Sequence, residues 1–193
     1  MCGGRGTRLG GRVEKPLVPV CGVPMVERVA AALRESRAET VHAAVSNNAP
    51  ETAERVREMG LAVVETSGEG YVSDLTAALD SVGRPVVTAA ADLPLLEPEH
   101  VDDAIAESFD HGGDAGNADD PRSVTVCVPA DLKRRLGVSA DTTFRGEDGR
   151  ELAPTGLNVV GSGDDTVQLT CDDRLAVNVN RPSDLERAEA LCD

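Results

Sequence analysis

Gly3, Gly4, Gly6, Gly10 and Gly11 alternate with Arg5, Thr7, Arg8 and Arg12, and the run closes on Glu14-Lys15-Pro16. Glycine tolerates positive φ and lets backbone amides approach a ligand closely. Successive inward N–H groups form an anion-binding concavity, to which guanidinium and ammonium groups add formal charge. The chemistry that suits this composition is the holding of a polyphosphate. Asp92 is a second candidate, because it directly follows the apolar run 86–91. A carboxylate at a strand tip beside phosphates suits Mg2+, which prefers one or two carboxylates together with phosphate oxygens and water. Two further stretches carry polar groups at regular spacing: Thr66-Ser67-Gly68-Glu69-Gly70-Tyr71 with Asp74, and Asn178-Val179-Asn180. Alternate residues of an extended segment share a face, so the two asparagines point the same way.

The elements that must position these groups follow from periodicity. Pro24 opens a helix with Val26, Val29, Ala30 and Leu33 at helical spacing, and Pro50 opens a second that ends near Gly60. Residues 41–46, 61–64 and 85–90 read as short buried strands. Val72, Leu75, Leu79 and Val82 place a helix over 71–82, and another follows from about residue 98. Repetition of strand, turn and helix predicts an α/β fold, a Rossmann-like, doubly wound and mostly parallel sheet covered by helices. Ligands of such sheets sit outside the carboxyl ends of the strands, where Asp92 and the 66–70 turn fall. The Gly- and Asp-rich stretch 111–122 reads as a mobile loop. Beyond it, 123–129, 142–144, 156–160 and 175–179 read as strands with hairpin connections, and Pro182 starts a last helix. Neither a repeat nor a linker divides the chain, so one domain spanning 1–193 is expected.

Composition narrows the partners. The formal net charge is −15, and Lys15 and Lys133 are the only lysines among 19 basic residues. A nucleic-acid partner would need a basic footprint, and with Tyr71, Phe109 and Phe144 as the only aromatics there is little to stack bases on. Dense carboxylates suit a cytoplasm of molar salt, as in a halophilic archaeon, where self-repulsion is screened within about 3 Å. The odd number of cysteines without CxxC pairing reads as reduced thiols with neither a disulfide framework nor a zinc site. No apolar run approaches the roughly 18 residues of a membrane span and no leader is seen, so a cytoplasmic protein is expected. Lys133-Arg134-Arg135 reads as a solvated helix face.

The string from Gly3 through Lys15-Pro16 resembles the signature of nucleotidyltransferases, in which such a loop wraps a nucleoside triphosphate and the lysine meets the phosphates. The stretch 65–71 with Asp74, the run 86–96, the stretch 153–160 and the end 177–185 extend the resemblance to archaeal adenosylcobinamide-phosphate guanylyltransferases, relatives of the molybdenum cofactor guanylyltransferases. The resemblance implies a sheet of the nucleotide-diphospho-sugar transferase type. It also implies guanylyl transfer from GTP to adenosylcobinamide phosphate in cobalamin biosynthesis, with Mg2+ as cofactor. On this basis Gly3, Gly4, Arg5, Gly6, Thr7, Arg8 and Lys15 would hold the triphosphate, with Arg8, Lys15 and Asp92 catalytic and Asp92 on the metal. Thr66, Ser67 and Gly68 would bind guanosine, and Gly156, Asn158, Asn178 and Asn180 would line the other half of the site. Partners are then small molecules, with the chain a monomer or homodimer.

Other readings stay open at this point: a molybdenum cofactor or sugar-phosphate nucleotidyltransferase, or a GTP-binding protein without turnover. Glycine loops of this kind ordinarily follow a buried strand, and only Met1 and Cys2 precede this one. A truncated central strand would leave neighbouring backbone groups unpaired at about 1–3 kcal/mol for each buried one. The expectation is therefore that the native chain begins further upstream.

Overall fold

Alternation of short apolar runs with amphipathic stretches folds the chain into an α/β structure. The computed structural model describes residues 1–2, 13–110 and 120–192. Lys15–Leu17 forms one 3₁₀ turn, followed by β1 (Pro19–Val20) and β2 (Val23–Pro24), an antiparallel pair. Cys21 (φ +49°) and Gly22 (φ +78°) make the tight turn between them, the left-handed pair that two-residue hairpins require. Helix α1 (Met25–Glu35) then buries Met25, Val26, Val29, Ala30 and Ala32. Strand β3 (His42–Ser46), helix α2 (Pro50–Glu58) and strand β4 (Ala62–Thr66) form a βαβ unit, with β3 and β4 parallel from His42↔Ala62 to Ser46↔Thr66.

Helix α3 (Tyr71–Val82) leads to β5 (Val86–Ala89), and α4 (Pro98–Ser108) to β6 (Ser123–Pro129). Next come α5 (Ala130–Leu136), β7 (Phe144–Arg145), β8 (Glu151–Val160), β9 (Asp165–Leu169) and α6 (Pro182–Ala190). The larger sheet runs β5-β8-β6-β9, with β7 also on β8. β6 and β9 are parallel, whereas β8 runs antiparallel to β5, β6 and β7. Small residues dominate the interior: Ala89, Leu93, Val101, Ala104, Val124, Val126, Leu157 and Val159 pack between this sheet and α4. Met1 and Cys2 lie between the two sheets. The Cys2 N–H donates to Ala44 O (2.9 Å), and Met1 O accepts from Ala91 N (3.1 Å). The Met1 ammonium donates to Ala89 O (2.9 Å). These bonds join β3 to β5 where a first strand was expected.

Three sequence expectations need correction. Residues 175–179 are not a strand. Ala176 N turns back to Asp173 O, and the segment beyond is extended but bonded outside any ladder, with Val179 N on Asp92 O. Strand β9 was not anticipated, because its apolar positions Val167 and Leu169 are themselves exposed. Cys21 and Cys192 form a disulfide, contrary to the expectation of reduced thiols. The hairpin turn and the end of α6 meet in space with Cα atoms 6.5 Å apart, although 171 residues separate them along the chain. Cys2, Cys127 and Cys171 are free, and burial pushes the Cys127 thiol up to about 11, so it stays protonated and inert. The stretch 111–119 lies outside the described residues.

A polar cluster around the buried His100 ties the start of α4 to the turn before residue 177. His100 accepts from Glu97 N–H at Nδ1 (3.0 Å), which leaves the proton on Nε2 to face Asp172 Oδ2 (3.0 Å). Arg174, itself paired with Glu99, donates to both oxygens of the same carboxylate. Hydrogen bonds from Arg174, and then from His100, hold Asp172 below the usual carboxylate range against the opposing effect of burial. A depressed carboxyl stabilises the fold above its unfolded pKa, near 3.9, and that contribution is lost as pH falls through the folded value. Asp172→Asn should therefore lose stability less steeply than the wild type in chemical denaturation below about pH 4. Parallel curves would show that Asp172 contributes nothing to acid sensitivity.

Candidate functional site

Asp92 stands at the carboxyl end of β5, where the buried run of the strand turns out through Ala90 and Ala91. Its carbonyl accepts from Val179 N (3.0 Å), which brings the Asn178–Asn180 segment alongside. Lys15 Nζ lies 2.5 Å from Asp92 Oδ2 and donates to Asn180 Oδ1 (2.7 Å). Asn178 Nδ2 donates to Asp92 Oδ1 (3.1 Å) and to Thr155 O (2.7 Å). Both oxygens of Asp92 thus have donors, while the Lys15 and Asp92 side chains keep 15% and 20% exposure at the wall of a cavity.

Neighbouring elements hold each member of this cluster. Glu14 accepts from Glu51 N (3.0 Å) and Thr52 N (2.7 Å), so a carboxylate from outside α2 satisfies its first amides and anchors the turn that carries Lys15. Asn180 is fixed through Asp184, which is fully buried in the first turn of α6. The Asp184 carboxylate accepts from Ser139 N (2.8 Å), Ser139 Oγ (2.7 Å), Asn180 N (2.9 Å) and Arg181 N (2.8 Å). Asp184→Ala would orphan these donors and should cost about 3 kcal/mol in urea unfolding. A loss below about 1 kcal/mol would mean that water replaces the carboxylate.

The cavity, of about 260 Å³, is lined by Lys15 and Asp92 together with Gly68, Gly70, Tyr71 and Asp74. Gly68 (φ +74°) donates its N–H to Asp74 Oδ1 (2.9 Å), and a Cβ there would fall 2.3 Å from Asn48 Nδ2. The positive φ favours glycine in this turn, which folds onto the amino end of α3, whose partial positive charge favours anions. Tyr71 is half-exposed. Burial of its phenol and the Asp92 charge raise its pKa, and a hydrogen bond with Thr88 opposes them.

The structure brings Lys15, Asp92, Asn178 and Asn180 into direct contact. Gly156 (φ +90°) abuts them, since a Cβ there would lie 3.0 Å from Ala90 Cβ and 3.6 Å from Asn178 Nδ2. Asn158 in β8 sits opposite Thr88 of β5, which in turn contacts Tyr71 at the cavity. Thr66 is buried at the end of β4, and Ser67 holds the turn by accepting from Glu69 N. Of these three, only Gly68 reaches the cavity wall. Gly3, Gly4, Arg5, Gly6, Thr7 and Arg8 lie outside the described residues.

Lys133 corrects the reading of its stretch as a solvated face. Its neighbours Arg134 and Arg135 are exposed, but Lys133 itself is 3% exposed and donates to Asn178 Oδ1 (2.9 Å) and Ala176 O (2.8 Å). Burial lowers its pKa, and Asp92, Asp184 and Asp141 oppose that shift. The available signal was its rarity: the chain has only one other lysine, Lys15. Among the described residues no cluster of three or more His, Cys, Asp or Glu could hold a metal alone. A single carboxylate fits Mg2+ whose remaining ligands are phosphate oxygens and water. No described helix is long and apolar enough to cross a membrane.

A model of the MobA-like NTP transferase domain matches residues 1–149. The chain is 29% identical over 198 residues to adenosylcobinamide-phosphate guanylyltransferase of Methanocaldococcus jannaschii, covering 99% of this chain and 94% of that protein. It is 28% identical to a probable molybdenum cofactor guanylyltransferase of Natronomonas pharaonis, covering 97% and 94%. CMP:2-keto-3-deoxy-manno-octonic acid synthetase, solved with CTP, superposes with a TM-score of 0.66 at 14% identity, over 93% of this chain and 91% of that one.

Proposed function

The chain belongs to the MobA-like NTP transferase family, and from that premise we propose that it transfers the guanylyl group of GTP to adenosylcobinamide phosphate. The products are adenosylcobinamide-GDP and pyrophosphate. The observation that carries this reading is the pairing of Lys15 with Asp92 at the end of β5, beside a cavity faced by the amino end of α3. The full-length similarity to a cobinamide-phosphate enzyme supports the choice of acceptor.

A phosphate oxygen of the acceptor forms a bond to the α-phosphorus of GTP as the bond to the β-phosphate bridging oxygen breaks. Phosphate monoesters lose their second proton near pH 6, so no side chain has to activate the nucleophile. Catalysis is then positioning and charge neutralisation. Lys15 exchanges its contact with Asp92 for triphosphate oxygens and stabilises the leaving pyrophosphate. The glycine loop, with Arg5 and Arg8, cradles the phosphates, and the 66–68 turn flanks the guanosine. Asp92 would hold Mg2+, which when bound would neutralise charge on the triphosphate. Asn178 and Asn180 keep Asp92 and Lys15 in place.

Mixing the protein with GTP, Mg2+ and adenosylcobinamide phosphate should release pyrophosphate only when all are present. The N. pharaonis relative favours molybdopterin as the second acceptor to test. Faster release with molybdopterin than with the corrinoid would overturn the choice of acceptor. GTP binding without release for any acceptor would overturn transfer itself.

A further inference from the structure

Lys15 and Lys133 approach Asp92 from opposite sides, the first directly and the second through one amide. We propose that Lys133 is a positioning residue for nucleotidyl transfer, which locks the Asn178 amide so that Asp92 keeps its orientation at the end of β5. Its kinetic consequence rests on the function proposed above; its geometric basis does not.

The Asn178 side chain offers one acceptor and one NH2 group. Its NH2 faces two acceptors, Thr155 O at 2.7 Å and Asp92 Oδ1 at 3.1 Å. Its Oδ1 faces the Lys133 ammonium at 2.9 Å. A flipped amide would set its oxygen against a carbonyl and a carboxylate, and its NH2 against a cation. Lys133, Thr155 O and Asp92 thus favour the same one of the two amide orientations, and Lys133 is the only one of the three that holds the amide oxygen. The backbone bond to Ala176 O at 2.8 Å fixes the ammonium in turn. Burying an ammonium is costly unless it is paired. A methionine would fill similar volume without that cost, but it could not donate to Asn178.

The test uses the whole protein. Side-chain amide NMR identifies Asn178 by the signals lost in Asn178→Leu, and hydrogen exchange then measures their protection. The wild-type signals should be resolved and protected, and Lys133→Met should lower that protection at least about 10-fold while circular dichroism stays native. In the pyrophosphate assay Lys133→Met should lower kcat about 10- to 100-fold with the KM for GTP changed less than about threefold. Asn178→Leu should match it, and the double variant should add little, since groups acting as one unit are non-additive. Lys133→Arg, which keeps charge and donors, should restore protection. Unchanged protection in Lys133→Met, or losses that multiply in the double variant, overturn the proposal. So does an unprotected Asn178 amide in the wild type. Absent turnover in the wild type would sink guanylyl transfer and leave the exchange measurement to decide the role of Lys133.

Discussion

Lys15→Ala is expected to lower kcat for pyrophosphate release about 1,000-fold, the largest single effect among the described residues. Positioned cations on transferring phosphoryl groups carry effects of this size because charge develops in a site from which water is largely removed. The ammonium already stands at the cavity wall, held by Asp92 and Asn180, before any substrate binds. Stability should change far less than turnover, since the pair borders the cavity, where water can take the place of the ammonium, and Asp92 retains its bond from Asn178. A thermal melt beside the kinetic assay separates the two effects. Parallel losses of turnover and melting temperature would make Lys15 a structural residue.

Asp92→Asn should lower kcat about 100-fold or more and raise the Mg2+ concentration needed for half-maximal rate. The carboxylate accepts from Asn178 on one oxygen and from Lys15 on the other. An asparagine has only one acceptor, so its NH2 must face either the Asn178 amide or the Lys15 ammonium. It also removes the negative charge standing between Lys15 and the buried Lys133, so the two cations lose their common partner. Titrating Mg2+ at saturating GTP distinguishes the metal from the local network. An unchanged Mg2+ response with reduced kcat would leave the ion to the triphosphate alone and confine Asp92 to holding Lys15.

Much of this site was legible in the residues because local rules govern it. The helical phase of Val72, Leu75, Leu79 and Val82 marked out α3 at Tyr71–Val82, and the apolar run before Asp92 located a strand end. The alternation in Asn178-Val179-Asn180 anticipated that both asparagines share a face, although the segment pairs with the Asp92 turn and not with a ladder. Other features escaped because local rules misread them. Three consecutive basic residues look solvated in any helix, yet each step turns the helix by about 100°, so one of the three can point inward. Lys133 is that one.

Residue types and spacing pointed to phosphate handling, and a family resemblance narrowed it to nucleotidyl transfer. A glycine-rich basic loop, a carboxylate after a buried strand and a lysine before proline describe phosphate handling without coordinates, because each requirement is met within a few neighbouring residues. Packing alone decided which groups act together. The meeting of Lys15, Asp92, Asn178 and Lys133, the Cys21–Cys192 bond and the placement of Met1 and Cys2 between the two sheets all join elements distant along the chain. Such contacts follow from how helices and strands bury their apolar faces, and no local spacing encodes them. The ammonium of Lys133 shows the difference: its type was plain from the start, but its partner became visible only when α5 packed its inner face against the segment before α6.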